Sequence, residues 1–257
     1  IITSIISEFV YLKLRRKKVD LLDGSAFLTG LLLALCLPPN FPLWATSLGS
    51  FFGIIFGKQL FGGLGQNIFN PALTGRVFLA ASFPKLISTF ISPVDGTTSA
   101  TPLNAWKFSK VITSKKLLFT GFIGGCIGET SKILLLLGAI YLLLKGHITL
   151  RIPLSFIITV FIITGIFHLI NPSIYASPLF HILSGGLILG SFFMATDPVT
   201  SPVTKRGRVV FGIGCGLITS IIRLFGGLPE GVMHSIIIMN AFTPLINRIT
   251  RPRRFGT

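Results

Sequence analysis

Apolar residues run along this chain in long, nearly uninterrupted stretches rather than in stripes at helical spacing. Nine such stretches lie between polar segments, at about 1–13, 24–37, 43–57, 66–83, 117–144, 152–170, 178–196, 209–222 and 231–247. About 20 apolar residues suffice for a helix to cross a bilayer, and a helix satisfies its own backbone hydrogen bonds in lipid. The pattern predicts an all-α polytopic membrane protein, with about nine to ten transmembrane helices in a single transmembrane domain, 1–257.

Composition and charge support this class. Of 257 residues, 51% are hydrophobic and 12% charged, whereas soluble domains have about 25% charged residues. The formal net charge of +16 is explained by basic cytoplasmic loops, which orient membrane proteins, so we expect no nucleic-acid partner. The three cysteines are far apart in apolar sequence and predict neither a disulfide framework nor a zinc site.

The basic residues also predict the topology. Clusters at 15–18, 205–208 and 248–254 belong on the cytoplasmic side, which places the 84–116 loop outside. This loop departs from the rule, because it carries Lys85, Lys107, Lys110, Lys115 and Lys116. The chain begins at Ile1, without methionine and already in apolar sequence, so we expect the start of the natural protein to be missing.

The chain has two similar halves. The sequence LFGGL occurs at 60–64 and at 224–228, and Gly30 and Pro38 match Gly190 and Pro198. The topology puts the first Pro-containing break outside and the second inside, which predicts inverted repeats at about 24–83 and 178–247. Segments 24–37, 43–57 and 209–222 are too short for a full span. Short segments at matching positions indicate a binding site at the repeat interface, and tilted helices are the alternative.

The external loop at 92–103 is rich in hydroxyl and small residues. A plain turn stabilised by side-chain to backbone hydrogen bonds is one interpretation. A hydroxyl group among small residues, beside a carboxylate, also suits attachment of a phosphate-linked group, because little bulk blocks its approach.

Four motifs then point to one family. Residues 95–101, DGTTSAT, resemble the flavinylation motif D-x-x-[ST]-[GS]-A-T, whose last threonine carries FMN through a phosphoester bond. KQLFGGLGQNIFNPA at 58–72, GGCIGETS at 124–131 and FMATDPVT at 193–200 accompany it. In matching order over nearly the whole chain, they resemble the family shared by the D subunit of the Rnf ion-translocating ferredoxin:NAD oxidoreductase complex and the B subunit of the sodium-translocating NADH:quinone reductase.

The resemblance implies a set of cofactors and site residues. It implies covalent FMN on Thr101, with Asp95, Thr98, Ser99 and Ala100 forming the recognition sequence for a flavin transferase. Ser99 stands where the family often has glycine, and serine is small enough for the modification to survive. Riboflavin is also associated with the family, but no motif here places it.

The implied function is electron transfer in a complex. The chain would be a multi-pass subunit in the bacterial cytoplasmic (inner) membrane, and would pass electrons between subunits while sodium or protons are exported. It lacks a Rossmann GxGxxG motif and a cluster-binding cysteine set, so partner subunits must handle NAD and ferredoxin. The short chain favours the D subunit of the Rnf complex. The alternatives are the B subunit of the quinone reductase and a non-redox inverted-repeat transporter or channel.

Three acidic residues lie in or beside the predicted spans. Glu129 is a candidate for an ion path, because a charge inside the membrane is costly and is often functional. Its alternative role is pairing with Lys132 at i+3. Asp197 is expected to cap a turn, and Glu230 either caps the last helix or binds a ligand. No catalytic residue and no metal ligand is assigned.

Other polar residues leave two interpretations open. Arg76, in the middle of a segment, either faces the bundle or a cavity as a flavin partner, or snorkels to an interface. The amides of Gln66, Asn67 and Asn70 either cap and bridge helices or bond a flavin ring. The histidines are expected to pack or form hydrogen bonds rather than bind metal: His147, His168, His181 and His234.

Overall fold

The computed structural model describes residues 1–92 and 96–252, and these residues are mostly helical. They form thirteen α-helices, with a short 3-10 turn at Gln59–Phe61, a π-helical turn at Gly190–Met194 and a two-stranded antiparallel ribbon. The helices are α1 Ile2–Leu14, α2 Ser25–Leu35, α3 Leu43–Gly57, α4 Pro71–Ser82, α5 Pro84–Ile87, α6 Pro102–Ser109, α7 Lys115–Thr120, α8 Lys132–Leu144, α9 Arg151–Ile170, α10 Pro178–Leu183, α11 Leu187–Leu189, α12 Lys205–Phe225 and α13 Val232–Ile249, and the strands are β1 Phe90–Ile91 and β2 Thr98–Ser99.

Two helices in the described part of the chain are long and apolar enough to cross a membrane, α9 and α12. The helices α2 and α8 are apolar but shorter. Large apolar side chains stay exposed along α9, among them Ile158, Phe161 and Leu169. Such a surface fits contact with lipid acyl chains, because helices satisfy their own backbone groups there.

One predicted short span is a long helix. The apolar segment 209–222 was expected to be too short to span, but α12 has 21 residues. The Thr204 side chain caps its start by accepting a hydrogen bond from the Gly207 amide at 3.0 Å. Basic residues therefore lengthen the helix at its N-terminal end, beyond the apolar part. The prediction that this segment is too short to span was wrong. The matching helices α2 and α3 are short, at 11 and 15 residues.

Two predicted spans are broken. Segment 117–144 divides into α7 and α8, with a non-helical stretch from Gly121 to Ser131. Segment 178–196 divides into α10, α11 and the π-helical turn, with a break at Ser184–Gly186. Gly121 and Gly185 have φ of 99° and 65°, a left-handed conformation that glycine adopts without a steric penalty. Apolar composition predicted one continuous helix in each segment, and that prediction was wrong at these two breaks.

The core joins both halves of the chain. Its largest cluster contains Leu73 of α4 together with buried residues of α9, α11, α12 and α13. Helices α9 and α12 approach closely at Gly212 and Gly216, where an added Cβ would meet the Ile152 oxygen at 2.7 Å and the Phe156 oxygen at 2.9 Å. Small residues four apart permit this packing between membrane helices.

The repeated motifs lie at equivalent places along the chain. One LFGGL copy lies after α3, and the other begins in the last turn of α12 and continues beyond it. The halves touch near Met194, whose carbonyl accepts a hydrogen bond from Asn70 Nδ2 at 3.4 Å and whose sulfur lies 3.8 Å from Cys36 Sγ.

Candidate functional site

A cavity of about 490 Å³ lies where α4, the start of α6, the 123–129 loop and the start of α13 meet. Its walls are largely apolar, with Val77, Ile87, Phe90 and Met233 among them. A few polar and charged side chains converge on it, namely Arg76, Thr101, Asn104, Glu129, Glu230 and His234. Apolar walls with a few polar groups are typical of a small-molecule site.

Thr101 lies at this cavity and begins α6. Its side chain accepts a hydrogen bond from the Asn104 amide at 3.3 Å, and Pro102 takes the first helical position. The β-ribbon fixes the position of the chain just before Thr101, because Phe90 pairs with Ser99. The dipole at a helix N-terminus favours a phosphate group, so the hydroxyl of Thr101 is well placed to carry one.

The described motif residues directly precede Thr101 in the chain. Thr98 and Ala100 are exposed, while Ser99 is half-buried. The Ser99 hydroxyl packs against Gly124, where an added Cβ would meet it directly. Glycine at 124 thus provides the space for serine at 99. Asp95 lies outside the described residues.

Lysines hold α6 in place. Lys107 Nζ donates to carbonyls at the end of α12, those of Ile222 at 3.4 Å, Arg223 at 3.3 Å, Gly226 and Leu228 at 2.7 Å. A cation at a helix C-terminus complements its dipole. Lys110 Nζ donates to the Ile174 carbonyl at 3.3 Å and lies over the Trp106 ring. These two lysines of the predicted external loop thus have structural roles.

Charged side chains satisfy the backbone at the break before α11. Lys132 Nζ donates to the carbonyls of Glu129 and of Gly185, the latter at 2.8 Å. Arg223 donates to the carbonyls of His181 at 2.5 Å and Ser184 at 3.3 Å. Glu230 Oε1 accepts from the Gly186 amide at 2.5 Å. A break at membrane depth needs such partners, because lipid provides none.

These contacts decide between several interpretations. The Glu129 carboxylate accepts from the Cys126 amide at 2.9 Å, and Lys132 bonds the Glu129 carbonyl, so the alternative interpretation of a Glu129–Lys132 ion pair was wrong. The role of Glu230 as a cap of the last helix was also wrong, because that helix has no side-chain cap.

Asp197 caps its turn as predicted, since it accepts from the Val199 amide at 3.1 Å and the Thr200 hydroxyl at 3.2 Å. Burial raises the pKa of the Asp197 carboxyl group, and these hydrogen bonds partly oppose the shift.

Arg76 is buried and faces the cavity, so it does not snorkel to an interface. Its Nη2 lies 4.0 Å from Cys126 Sγ. Within the described residues, its Nη1 is buried with no hydrogen-bond partner.

A second cavity, of about 400 Å³, lies between α2, the start of α4 and the π-helical turn. Asn67 and Asn70 line it. Asn67 Nδ2 donates to the Phe69 carbonyl at 3.1 Å, and Asn70 caps α4 by accepting from the Leu73 amide at 3.2 Å. The capping and bridging roles are thus observed for Asn70, which also donates to the Met194 carbonyl, whereas Asn67 forms only a local hydrogen bond. Both side chains still border the cavity.

The histidines are dispersed. His168 Nδ1 lies 2.7 Å from the Tyr175 carbonyl, and His181 is buried beside the Phe180 ring. His147 lines the second cavity and His234 the first.

Sequence reasoning missed one buried ion pair. Glu8 Oε1 lies 2.6 Å from Lys58 Nζ, and both side chains are almost fully buried. Ser25 Oγ and Gln59 Nε2 complete the network at 2.5 and 2.7 Å. The available signal was a single carboxylate within the apolar α1, opposite a lysine that follows α3.

Comparison with known proteins identifies the family. The model of the NQR2, RnfD, RnfE family matches residues 1–256. The chain belongs to this family. The resemblance drawn from the four motifs is therefore confirmed.

Similar proteins of this family include three that are each named as the D subunit of a complex. The chain is 47% identical to that of the proton-translocating ferredoxin:NAD(+) oxidoreductase complex of Clostridium ljungdahlii, over 100% of this chain and 82% of the relative. It is 48% identical to that of the Na(+)-translocating ferredoxin:NAD(+) oxidoreductase complex of Acetobacterium woodii, over 100% and 80%. The D subunit of the ion-translocating oxidoreductase complex of Escherichia coli O17:K52:H18 is 37% identical, over 99% and 84%.

Proposed function

We propose that this chain is the D subunit of an ion-translocating ferredoxin:NAD oxidoreductase complex. The family match and the names of its relatives support the complex. The single observation that favours electron transfer by this chain is the position of Thr101. The last threonine of the flavinylation motif lies at the N-terminus of α6 and on the wall of a large cavity.

The residues at this cavity fit a covalent FMN. Thr101 Oγ1 is the attachment atom, and the amide end of α6 would hold the phosphate group. The apolar walls suit the flavin ring, and the unpartnered nitrogen of Arg76 offers a hydrogen-bond donor. When bound, FMN supplies electron-transfer chemistry that side chains lack. The chain's own residues bind it, orient it and exclude water. A flavin transferase installs it, recognising Asp95, Thr98, Ser99 and Ala100.

The second cavity is our candidate for the riboflavin that the family resemblance associates with this domain. Leu28, Leu32, Phe192 and Phe193 provide apolar walls there, and Asn67 lies among them. We expect riboflavin to co-purify with the wild-type complex and to be lost when Leu32→Trp fills the cavity, with covalent FMN unaffected.

Glu129 remains our candidate for the ion path. It lies at the cavity together with Glu230, and both carboxylates are near Gly186, within about 3 Å of where its Cβ would be. The relatives differ in the ion, since one is named proton-translocating and the other Na(+)-translocating. Either sodium or protons would therefore be exported.

The proposed architecture is a multi-pass subunit of the bacterial cytoplasmic membrane, with nine to ten transmembrane helices in two inverted repeats. The α2–α3–α4 segment would correspond to the segment from α11 to α13, because the matching glycines, prolines and LFGGL copies fall at equivalent places in the two. Other subunits of the complex and the lipid bilayer are its partners.

The function is tested with the whole complex in membrane vesicles. We expect wild-type vesicles to couple ferredoxin-dependent NAD reduction to ion movement, and Thr101→Ala to abolish both. The matched control is Thr97→Ala, which changes a hydroxyl in the same loop at a variable motif position. Full coupled activity in Thr101→Ala would refute the electron-transfer role. Solute flux through the chain alone, without redox partners, would favour a transporter.

A further inference from the structure

Arg76 presents an unexplained buried donor. Its side chain is 6% exposed, and Nη1 has no hydrogen-bond partner in the part of the chain that the structure describes. The carboxylates of Glu129 and Glu230, which line the same cavity, do not form an ion pair with Arg76. The ion pair found within the described residues joins Lys58 and Glu8. Leaving a donor of a cationic group buried and unpaired is unfavourable, because it has lost its hydrogen bonds to water without replacing them. Such a group points to a ligand with an acceptor atom.

Arg76 lies at the inner end of the cavity. It also lines a small space of about 30 Å³ beyond the cavity, next to Cys36 and Met194, where the two halves meet. Thr101 does not border that space. Arg76 therefore lies between the large cavity and the centre of the protein.

Thr101 borders the cavity from the start of α6, a different element from the one that carries Arg76. Helix α4 runs from Arg76 to Ser82 over about 9 Å, at 1.5 Å per residue. The chain then continues to Ser88 and Phe90, which border the same cavity. The antiparallel pairing of Phe90 with Ser99 brings Thr101 alongside that segment. Arg76 and Thr101 thus border the cavity from different elements, and of the two only Arg76 also borders the small inner space.

From this geometry we propose that Arg76 donates a hydrogen bond to the acceptor edge of the flavin ring, at N1 and the C2 carbonyl, rather than to the phosphate. The inference rests on the proposed covalent FMN at Thr101. Reduction places negative charge on this edge of the ring, and a fixed guanidinium group stabilises that charge at low local dielectric. Arg76 is thus a positioning and tuning residue that raises the reduction potential of the bound flavin.

Two carboxylates partly oppose the rise in reduction potential, because their negative charges lie near Arg76. Glu129 and Glu230 line the same end of the cavity, and His234 faces it from α13. Lys132 and Arg223 are also near, but their protons are directed to backbone carbonyls. Arg223 Nε is also buried without a partner among the described residues, but Arg223 does not line the cavity. Arg76 is therefore the cation of this cluster that both lines the cavity and has a buried donor left for a ligand.

The covalent attachment makes the test direct, because a variant can keep its flavin while losing the contact. The flavinylated complex is prepared as wild type, Arg76→Lys, Arg76→Gln and Lys116→Met, where the last removes one positive charge from an exposed position on α7. In-gel fluorescence first establishes that each chain carries flavin. Redox titration of its absorbance then gives the potential, and vibrational spectroscopy gives the C2 carbonyl stretch.

We expect Arg76→Gln to make reduction at least tenfold less favourable, a shift of about 30 mV or more for a two-electron couple. Arg76→Lys should shift the potential less than Arg76→Gln, because lysine keeps the positive charge but loses the planar fork. The C2 carbonyl stretch should rise in frequency in both variants. Lys116→Met should match wild type in both measurements.

The outcomes separate the two claims. Fluorescent bands with an unchanged potential and an unchanged carbonyl stretch in Arg76→Gln would overturn the inference and leave the FMN site intact. A changed potential with an unchanged carbonyl stretch would also overturn it, because only long-range charge would then be acting. A wild-type chain without flavin would overturn the proposed function and the inference with it.

Discussion

Lys107 is predicted to keep the α6 helix docked, and its removal gives a direct test of how Thr101 is positioned. The perturbation is Lys107→Met, which retains most of the apolar stem and removes the ammonium group. In wild type, this group contacts four carbonyls at the end of α12. Because an ammonium group has only three protons, the four contacts are not additive.

The magnitude follows from these contacts. The carbonyls of Gly226 and Leu228 are the close ones, while the other two lie at 3.3 and 3.4 Å. Hydrogen bonds from charged donors contribute about 1.5–3 kcal/mol each, and the helix dipole adds about 0.3–1 kcal/mol. Lys107 is half-buried, which reduces these values. We estimate a loss of about 2–4 kcal/mol, or about a 30- to 1000-fold larger opening constant for α6.

The assay is amide hydrogen exchange in lipid nanodiscs, because exchange reports local opening. Protection of Ala105–Ser109 should fall by about 30- to 1000-fold in Lys107→Met. The matched control Lys110→Met removes a single carbonyl contact at 3.3 Å and a ring contact, so it should change protection less than about tenfold. Equal protection in Lys107→Met and wild type, or equal losses in the two variants, would refute the reasoning.

Two further predictions concern stability and the motif loop. Glu8→Gln leaves Lys58 buried without a counter-charge, so the melting temperature in detergent should fall by roughly 5–15 °C. The double variant Glu8→Gln with Lys58→Met should recover most of the lost stability. A double variant less stable than the single one would contradict this. Gly124→Ala drives a methyl group into the Ser99 hydroxyl, at a cost of about 1–3 kcal/mol, and should lower flavin incorporation measured by in-gel fluorescence. Adding Ser99→Gly should restore incorporation, and a double variant as poor as Gly124→Ala would show that this contact is not the cause.

Apolar patterning located the helices because burial in lipid or protein dominates these segments. The predicted segments 43–57 and 152–170 agree with α3 and α9 to within a residue. The same signal failed where glycines interrupt apolar sequence. The breaks at Gly121–Ser131 and Ser184–Gly186 depend on tertiary partners, such as Lys132 and Arg223, which satisfy the freed carbonyls. The contacts of Lys132 with Gly185 and of Arg223 with His181 join residues 53 and 42 positions apart, so periodicity contains no sign of them.

The candidate site was also predictable only in part from the sequence. The motif singled out Thr101, and the structure places it on a cavity wall with Arg76, Glu129 and Glu230. Hydrogen-bond assignments were less predictable, because Glu230 bonds an amide 44 residues earlier in the chain rather than capping its own helix. The Glu8–Lys58 pair was missed for a similar reason, since 50 residues separate its members.

The central claim is that Thr101 carries a covalent flavin, and in-gel flavin fluorescence tests it most directly. The chain is expressed with its flavin transferase as wild type, Thr101→Ala and the control Thr97→Ala, then denatured and viewed under ultraviolet light. The account predicts fluorescent bands for wild type and Thr97→Ala and a dark band for Thr101→Ala. A dark wild-type band, with the transferase active on a control substrate, or a fluorescent Thr101→Ala band, would contradict it.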